Sequence, residues 1–193
     1  YGTLHDVGIY AIADTLAQLF QVFVLLPWTA TYLPHILTSY AQNQHTILVV
    51  ERRNQMIMYA AMISLAFIIM CAYISCTPIL MWLLPVAYHP AIIYVWPLLM
   101  GYIFLLGSYF ASSFIQFHKK NYFLAFAFCI PAVFNGILNS ILIPRFGLHG
   151  CTSATLISYA VYFGIVLGYN YYLQRCIIQE TAFSTDATLH AVK

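Results

Sequence analysis

Six polar side chains stand inside long apolar stretches of this sequence at helical spacing. Asp14 and Gln18 are four residues apart and Gln21 is three further on, so a helix would carry all three on one face. Tyr10 precedes Asp14 by one turn, and Asn135 and Asn139 repeat the four-residue spacing much later in the chain. Phenol, carboxylate and amide groups can hydrogen-bond a polar ligand, and Asp14 could bind H⁺ or Na⁺. An ionised carboxylate at the centre of a spanning helix costs about 2.5–3.5 kcal/mol on insertion scales, so this stripe must face protein or water. The same groups could instead bond neighbouring helices, worth about 0.6 kcal/mol each. For Asn135 and Asn139 that alternative means covering the backbone groups loosened by Pro131.

The elements that position these residues are dictated by solvent. The chain is 63% hydrophobic and 6% charged, with a mean hydropathy of +0.83, whereas a soluble domain carries roughly 25% charged residues. So little polar surface fits lipid, and the expected fold class is all-α: a polytopic bundle of transmembrane helices. A formal charge of +2 without a long basic run excludes nucleic acid as a partner. The five cysteines form no CxxC pair and no grouping with histidine, so no metal site is expected. No Ser-His-Asp spacing, HExxH or phosphate-binding glycine loop appears, and no enzymatic chemistry or cofactor is expected.

Five spans are predicted, over residues 7–40, 54–75, 91–117, 122–143 and 148–173. About 20 apolar residues cross a hydrocarbon core of ~30 Å. The first span is interrupted by Pro27 and Pro34, and Pro97 and Pro131 fall inside later ones; each removes a backbone bond and can kink its helix. Residues 41–53 read as a polar loop or short interfacial helix. The stretch ILMWLLP after Thr77-Pro78 is too short to span and reads as an interfacial loop anchored by Trp82 and Tyr88. In the fifth span Gly150, Ala154 and Ser158 recur every fourth residue, and Gly164 and Gly168 make a GxxxG. Both patterns are expected to be helix-packing faces where backbones approach closely. Residues 176–193 are expected to form a disordered tail.

With five spans, Arg52, Arg53, Lys119, Lys120 and Arg175 fall on one side and Arg145 on the other. The excess of cations marks the first side as cytoplasmic, which puts the C-terminus in the cytoplasm. The chain opens on Tyr1 with no basic flank, and is expected to be part of a longer protein.

Three stretches carry a family resemblance: VGIYAIA at residues 7–13, NSILIPRFGLHG at 139–150 and ATLISY at 154–159. With Pro27-Trp28, their order and spacing resemble the O-antigen and polysaccharide-repeat flippases of the multidrug/oligosaccharidyl-lipid/polysaccharide exporter superfamily. The N-x-x-L-I-P-x-[FY]-G-x-x-G pattern is matched from Asn139 to Gly150. The resemblance covers nearly all of residues 7–175 and is to the last five spans of a 12-span protein. It implies alternating-access transport of a polyprenyl-pyrophosphate-linked oligosaccharide across a bacterial inner membrane, for lipopolysaccharide or other surface polysaccharide biosynthesis. It also implies a missing N-terminal lobe, membrane-lipid contacts and other polysaccharide-assembly proteins as partners, and a cytoplasmic C-terminus. Tyr10, Asp14, Gln18, Gln21, Asn135 and Asn139 are then the expected lining of the substrate cavity. Asp14-Thr15 departs from an aromatic-Lys pair frequent in the family, so a basic substrate contact is not expected there.

Two other functions fit the same residues: a cation-coupled multidrug-type exporter of the same fold, with Asp14 essential, and a non-transporting fragment. A membrane transferase or polymerase would need a large external loop bearing catalytic residues, and the loops here are short.

Overall fold

The computed structural model describes the backbone of residues 4–191 and the side chains of 6–44 and 46–179. Among the described residues the architecture is all-α, and five helices are long and apolar enough to cross a membrane.

The first rod consists of α1 (Leu4–Phe20), a π-helical turn (Gln21–Leu25) and α2 (Leu26–Gln42). The wide turn sits just ahead of Pro27. Proline has no N–H to give and its ring crowds the carbonyl four residues back. Opening one turn, with the Leu26 N–H bonded to the Gln21 carbonyl, absorbs both problems without ending the rod. The Thr29 and Thr31 hydroxyls donate to the Leu26 and Pro27 carbonyls at 3.0 and 2.8 Å beside the same break.

The next helix, α3 (Ile47–Leu83), is much longer than its apolar segment suggests. Its 37 residues would extend about 55 Å at 1.5 Å per residue, well beyond a ~30 Å hydrocarbon core. Of the loop and the short helix expected over residues 41–53, residues 47–53 take the helical alternative, as the first turns of α3. One expectation is corrected here: Ile79 to Leu83 form the last turn of α3 rather than an interfacial loop. Pro78 does not stop the helix, because the Thr77 hydroxyl adds a bond to the Tyr73 carbonyl beside the break. Trp82 stands 86% exposed at this end. A short 3₁₀ turn, Val86–Tyr88, leads on to α4 (Ala91–Phe117).

Helix α4 is the centre of the bundle. It is buried along most of its length, packs most extensively on α6 (Leu148–Ala191), and also touches α3, α1 and α2. Small residues permit this: Ser108, Ala111, Ser112 and Ser113 are all buried. The stripe Ile9–Ala13–Ala17 of α1 and the stripe Glu51, Asn54, Met58, Ala61, Leu65 and Ile69 of α3 are likewise buried. Helix α5 (Asn121–Phe146) is peripheral, packs chiefly on α6, and buries Ala127 and Pro131. Gly147 between α5 and α6 takes φ +57° and ψ −133°, a conformation that a side chain would strain.

At the start of α6, Gly150, Ala154 and Ser158 are buried. A Cβ on Gly150 would stand 2.5 Å from the Leu142 carbonyl oxygen, so α5 and α6 can meet there only through glycine. Gly164 and Gly168 are placed otherwise than expected. Both are exposed, and a Cβ on either would meet nothing within 4 Å, so the GxxxG is not a packing face among the described residues. The buried face of that turn is carried by Tyr162, Val166, Asn170 and Leu173 instead. Residues 176–191, expected to be disordered, continue α6 as helix. No glycine or proline interrupts them, and Ile177 still packs on the core.

Candidate functional site

A recess between α2 and α4, another between α5 and α6, and the polar side chains that α1, α4 and α6 bring near one another are together called the cleft. Its floor comes from Tyr102, Tyr109 and Gln116, spaced by seven on α4 and therefore on one face. Tyr102 is buried, and its ring lies 6.0 Å from that of Tyr159 on α6. Tyr109 in turn is close to Tyr159 and Tyr162.

The rod contributes one flank. Since Ile9, Ala13 and Ala17 are buried, the residues just round the helix from them border the cleft. The Tyr10 hydroxyl faces the side chains of Cys151 and Thr155 on α6. Asp14, half-buried, is within electrostatic reach of the Tyr102 and Tyr159 hydroxyls. Gln18 is exposed and donates to the Asp14 carboxylate at 2.6 Å, holding it on its own helix. Gln21 is half-buried in the π turn.

The opposite flank is a recess of about 170 Å³ between α5 and α6, bordered by Phe128, Pro131, Asn135, Thr155, Tyr159 and Tyr162. Asn135 follows Ala127 and Pro131 at four-residue spacing, on the stripe that α5 turns to α6. Asn139 donates to the Asn135 side-chain oxygen at 3.2 Å, and its own Oδ1 is buried without a hydrogen-bond partner among the described residues. The two amides therefore bond each other rather than the backbone near Pro131. A smaller recess, with Trp28, Thr29, Tyr32, Tyr109, Ser112 and Gln116 around it, continues the cleft toward the other end of α4.

Tyr10, Asp14 and Asn135 thus converge on one strip of α6, Thr155 to Tyr159, although 121 residues separate Asp14 from Asn135 in sequence. Gln18 and Asn139 each stand one turn further along their helices, behind the residue they bond. Tyr102, Tyr109 and Gln116 were not among the expected lining, and neither were Thr155 and Tyr159, which entered only as part of the ATLISY resemblance. The seven-residue spacing of the first three was a usable signal. Thr155 and Tyr159 lay hidden in a run whose small residues looked more informative.

Chemically the lining combines phenol and alcohol hydroxyls, amides and aromatic faces with a single carboxylate. No lysine or arginine is among the residues named. Such a surface suits neutral, hydroxyl-bearing ligands, because each hydroxyl can both give and accept a hydrogen bond and a ring can lie on a tyrosine face. It is poorly suited to binding a phosphate directly. No group of three or more His, Cys, Asp or Glu side chains is placed to hold a metal among the described residues. No family model, curated protein or solved structure matches the chain.

Proposed function

We propose that the chain is one lobe of a membrane transporter and that the α4 cleft is its half of the transport path. The proposed cargo is a polyprenyl-pyrophosphate-linked oligosaccharide, moved by alternating access across a bacterial cytoplasmic membrane for surface polysaccharide assembly, with the C-terminus in the cytoplasm. One observation carries the reading: Tyr10, Asp14, Tyr102, Thr155, Tyr159 and Asn135 come from four different helices to line one cleft. Polar groups in a lipid-solvated bundle are costly unless they bond each other or meet water and cargo, and several of these are only half-buried. The motif resemblance supports the sugar as cargo. Since no lysine or arginine is among the cleft residues named, this reading leaves the pyrophosphate to a second lobe that completes the path.

A second reading is favoured by Asp14, the one carboxylate at the cleft: a cation-coupled exporter of small molecules with the same fold. The two separate in a complementation assay for surface polysaccharide, using the full-length gene in a deletion strain. Asp14→Ala combined with Tyr102→Phe is expected to lower exported glycan about tenfold, equivalent to ~1.4 kcal/mol. Asp14→Asn, which keeps a hydrogen-bonding group, is expected to retain export. Wild-type glycan from the double variant would remove the cleft from the path. Restored drug efflux without any glycan would favour the exporter.

A further inference from the structure

Glu51 is fully buried one turn into α3, at the end of the bundle that carries Arg52 and Arg53, both of which are exposed. Its Oε2 meets the Tyr40 hydroxyl of α2 and the Asn54 amide at 3.0 Å. Oε1 accepts from the Asn170 amide of α6 at 3.0 Å and from Gln55 at 3.2 Å. Four neutral groups reach the carboxyl, and no lysine, arginine or histidine bonds it among the described residues. The amides are held in one orientation. Asn54 Oδ1 accepts from Tyr32 at 2.9 Å and Asn170 Oδ1 from Gln174, so both present N–H to Glu51. Asn170 also donates to the Ala111 carbonyl at 2.8 Å and Asn54 to the Phe110 carbonyl at 3.3 Å, which ties α4 into the cluster.

This arrangement discriminates between ions. A metal cation would find one carboxyl, one phenol hydroxyl and otherwise N–H donors, and the amide oxygens it would need are already engaged. A proton has a place. The Tyr40 hydroxyl can accept the carboxylic O–H while turning its own hydrogen toward Ser113, which it faces, and Ser113 Oγ donates onward to the Phe110 carbonyl at 2.7 Å. Every polar hydrogen then has an acceptor and no unpaired charge is buried, whereas the ionised form would bury a charge without a counter-ion.

The geometry points to Glu51 as a proton-binding site, neutral in the packed bundle, whose ionisation loosens α2 and α6 from α3 and α4 at this end. The titratable groups around it are Tyr32 and Tyr40 on α2, Arg53 and Tyr59 on α3, and Tyr171 on α6, while α4 presents Phe110, Ala111 and Ser113. A group neutral when packed and charged when released makes packing strongest at low pH and weaker as pH rises through its titration. The inference is independent of what the protein transports.

Infrared spectroscopy of the full-length protein in lipid nanodiscs, with ¹³C-labelled glutamate, tests it. At neutral pH a labelled, protonated-carboxyl band is expected, absent from Glu51→Gln and lost in the wild type as pH is raised. Over the same range, amide protection factors, corrected for the intrinsic pH dependence of exchange, should fall in α2 and α6 around Tyr40 and Asn170 in the wild type and stay constant in Glu51→Gln, whose amide mimics the neutral acid. A band unchanged by Glu51→Gln, or equal pH response in both proteins, overturns the proposal. If that variant does not fold, Tyr40→Phe, which removes a hydrogen-bond donor to the ionised carboxylate, should move the loss of the band to higher pH; an unmoved midpoint is equally fatal.

Discussion

The cleft and the Glu51 cluster use similar side chains, tyrosines and amides around one carboxylate, to opposite effect. Around Glu51 the polar atoms are buried and multiply bonded, with contributions from α2, α3, α4 and α6. In the cleft the Asp14 carboxylate takes a bond from Gln18 on its own helix, and Asn135 from Asn139 on its own. The first arrangement locks helices together, since each group lost would strand several partners. The second leaves hydrogen-bonding capacity open between helices. A polar residue in an apolar helix therefore has no fixed meaning. Whether its bonds close across helices or stay within one separates a fastener from a binding surface.

The largest expected effect comes from opening the cluster. Asn170→Ala leaves Glu51 Oε1 with Gln55 alone, removes the tie from α6 to the Ala111 carbonyl and takes the acceptor from Gln174, and should destabilise the bundle by about 2–3 kcal/mol, read as a fall in the thermal midpoint in detergent. A loss no larger than that of a surface alanine substitution would erase the distinction between the two regions. Next come the two small-residue patterns of α6. Gly150→Val drives a side chain into the Leu142 backbone and should cost about 1–3 kcal/mol. Gly164→Ala meets open space and should be neutral or stabilising, by about 0.5–1 kcal/mol from helix propensity. If Gly164→Ala is destabilising in the full-length protein, another element covers that face. The smallest effect on stability belongs to the cleft: Asp14→Asn should change the thermal midpoint by the equivalent of less than about 0.5 kcal/mol, since the carboxylate ties no second helix. A large loss would turn the cleft into a second fastener.

How far the sequence could be read depended on the range of the interaction that decides each feature. The pairing of Asp14 with Gln18 was legible because one helix sets its spacing, and so was the close approach at Gly150. Gly164 and Gly168 carry the same local signature as Gly150, yet lie on the outside, because a partner helix decides which face is inside and no periodicity on α6 alone reports it. Glu51 was hidden by its neighbours. ERRNQ reads as surface, and only Tyr40 and Asn170, 11 residues upstream and 119 downstream, bring it into the interior.

The chain's own composition and hydrophobic runs determined that it is a helical bundle with lipid as its solvent, since backbone groups in hydrocarbon must be satisfied within each segment. They also determined where its first polar stripe would lie. Helix ends, the outward turn of the GxxxG, the meeting of Tyr10 and Asp14 with Asn135, and the burial of Glu51 were decided by tertiary packing alone. Each of these depends on which helix stands beside which, and side-chain partners as far apart as Tyr10 and Thr155, 145 positions, leave no trace in any local window of sequence.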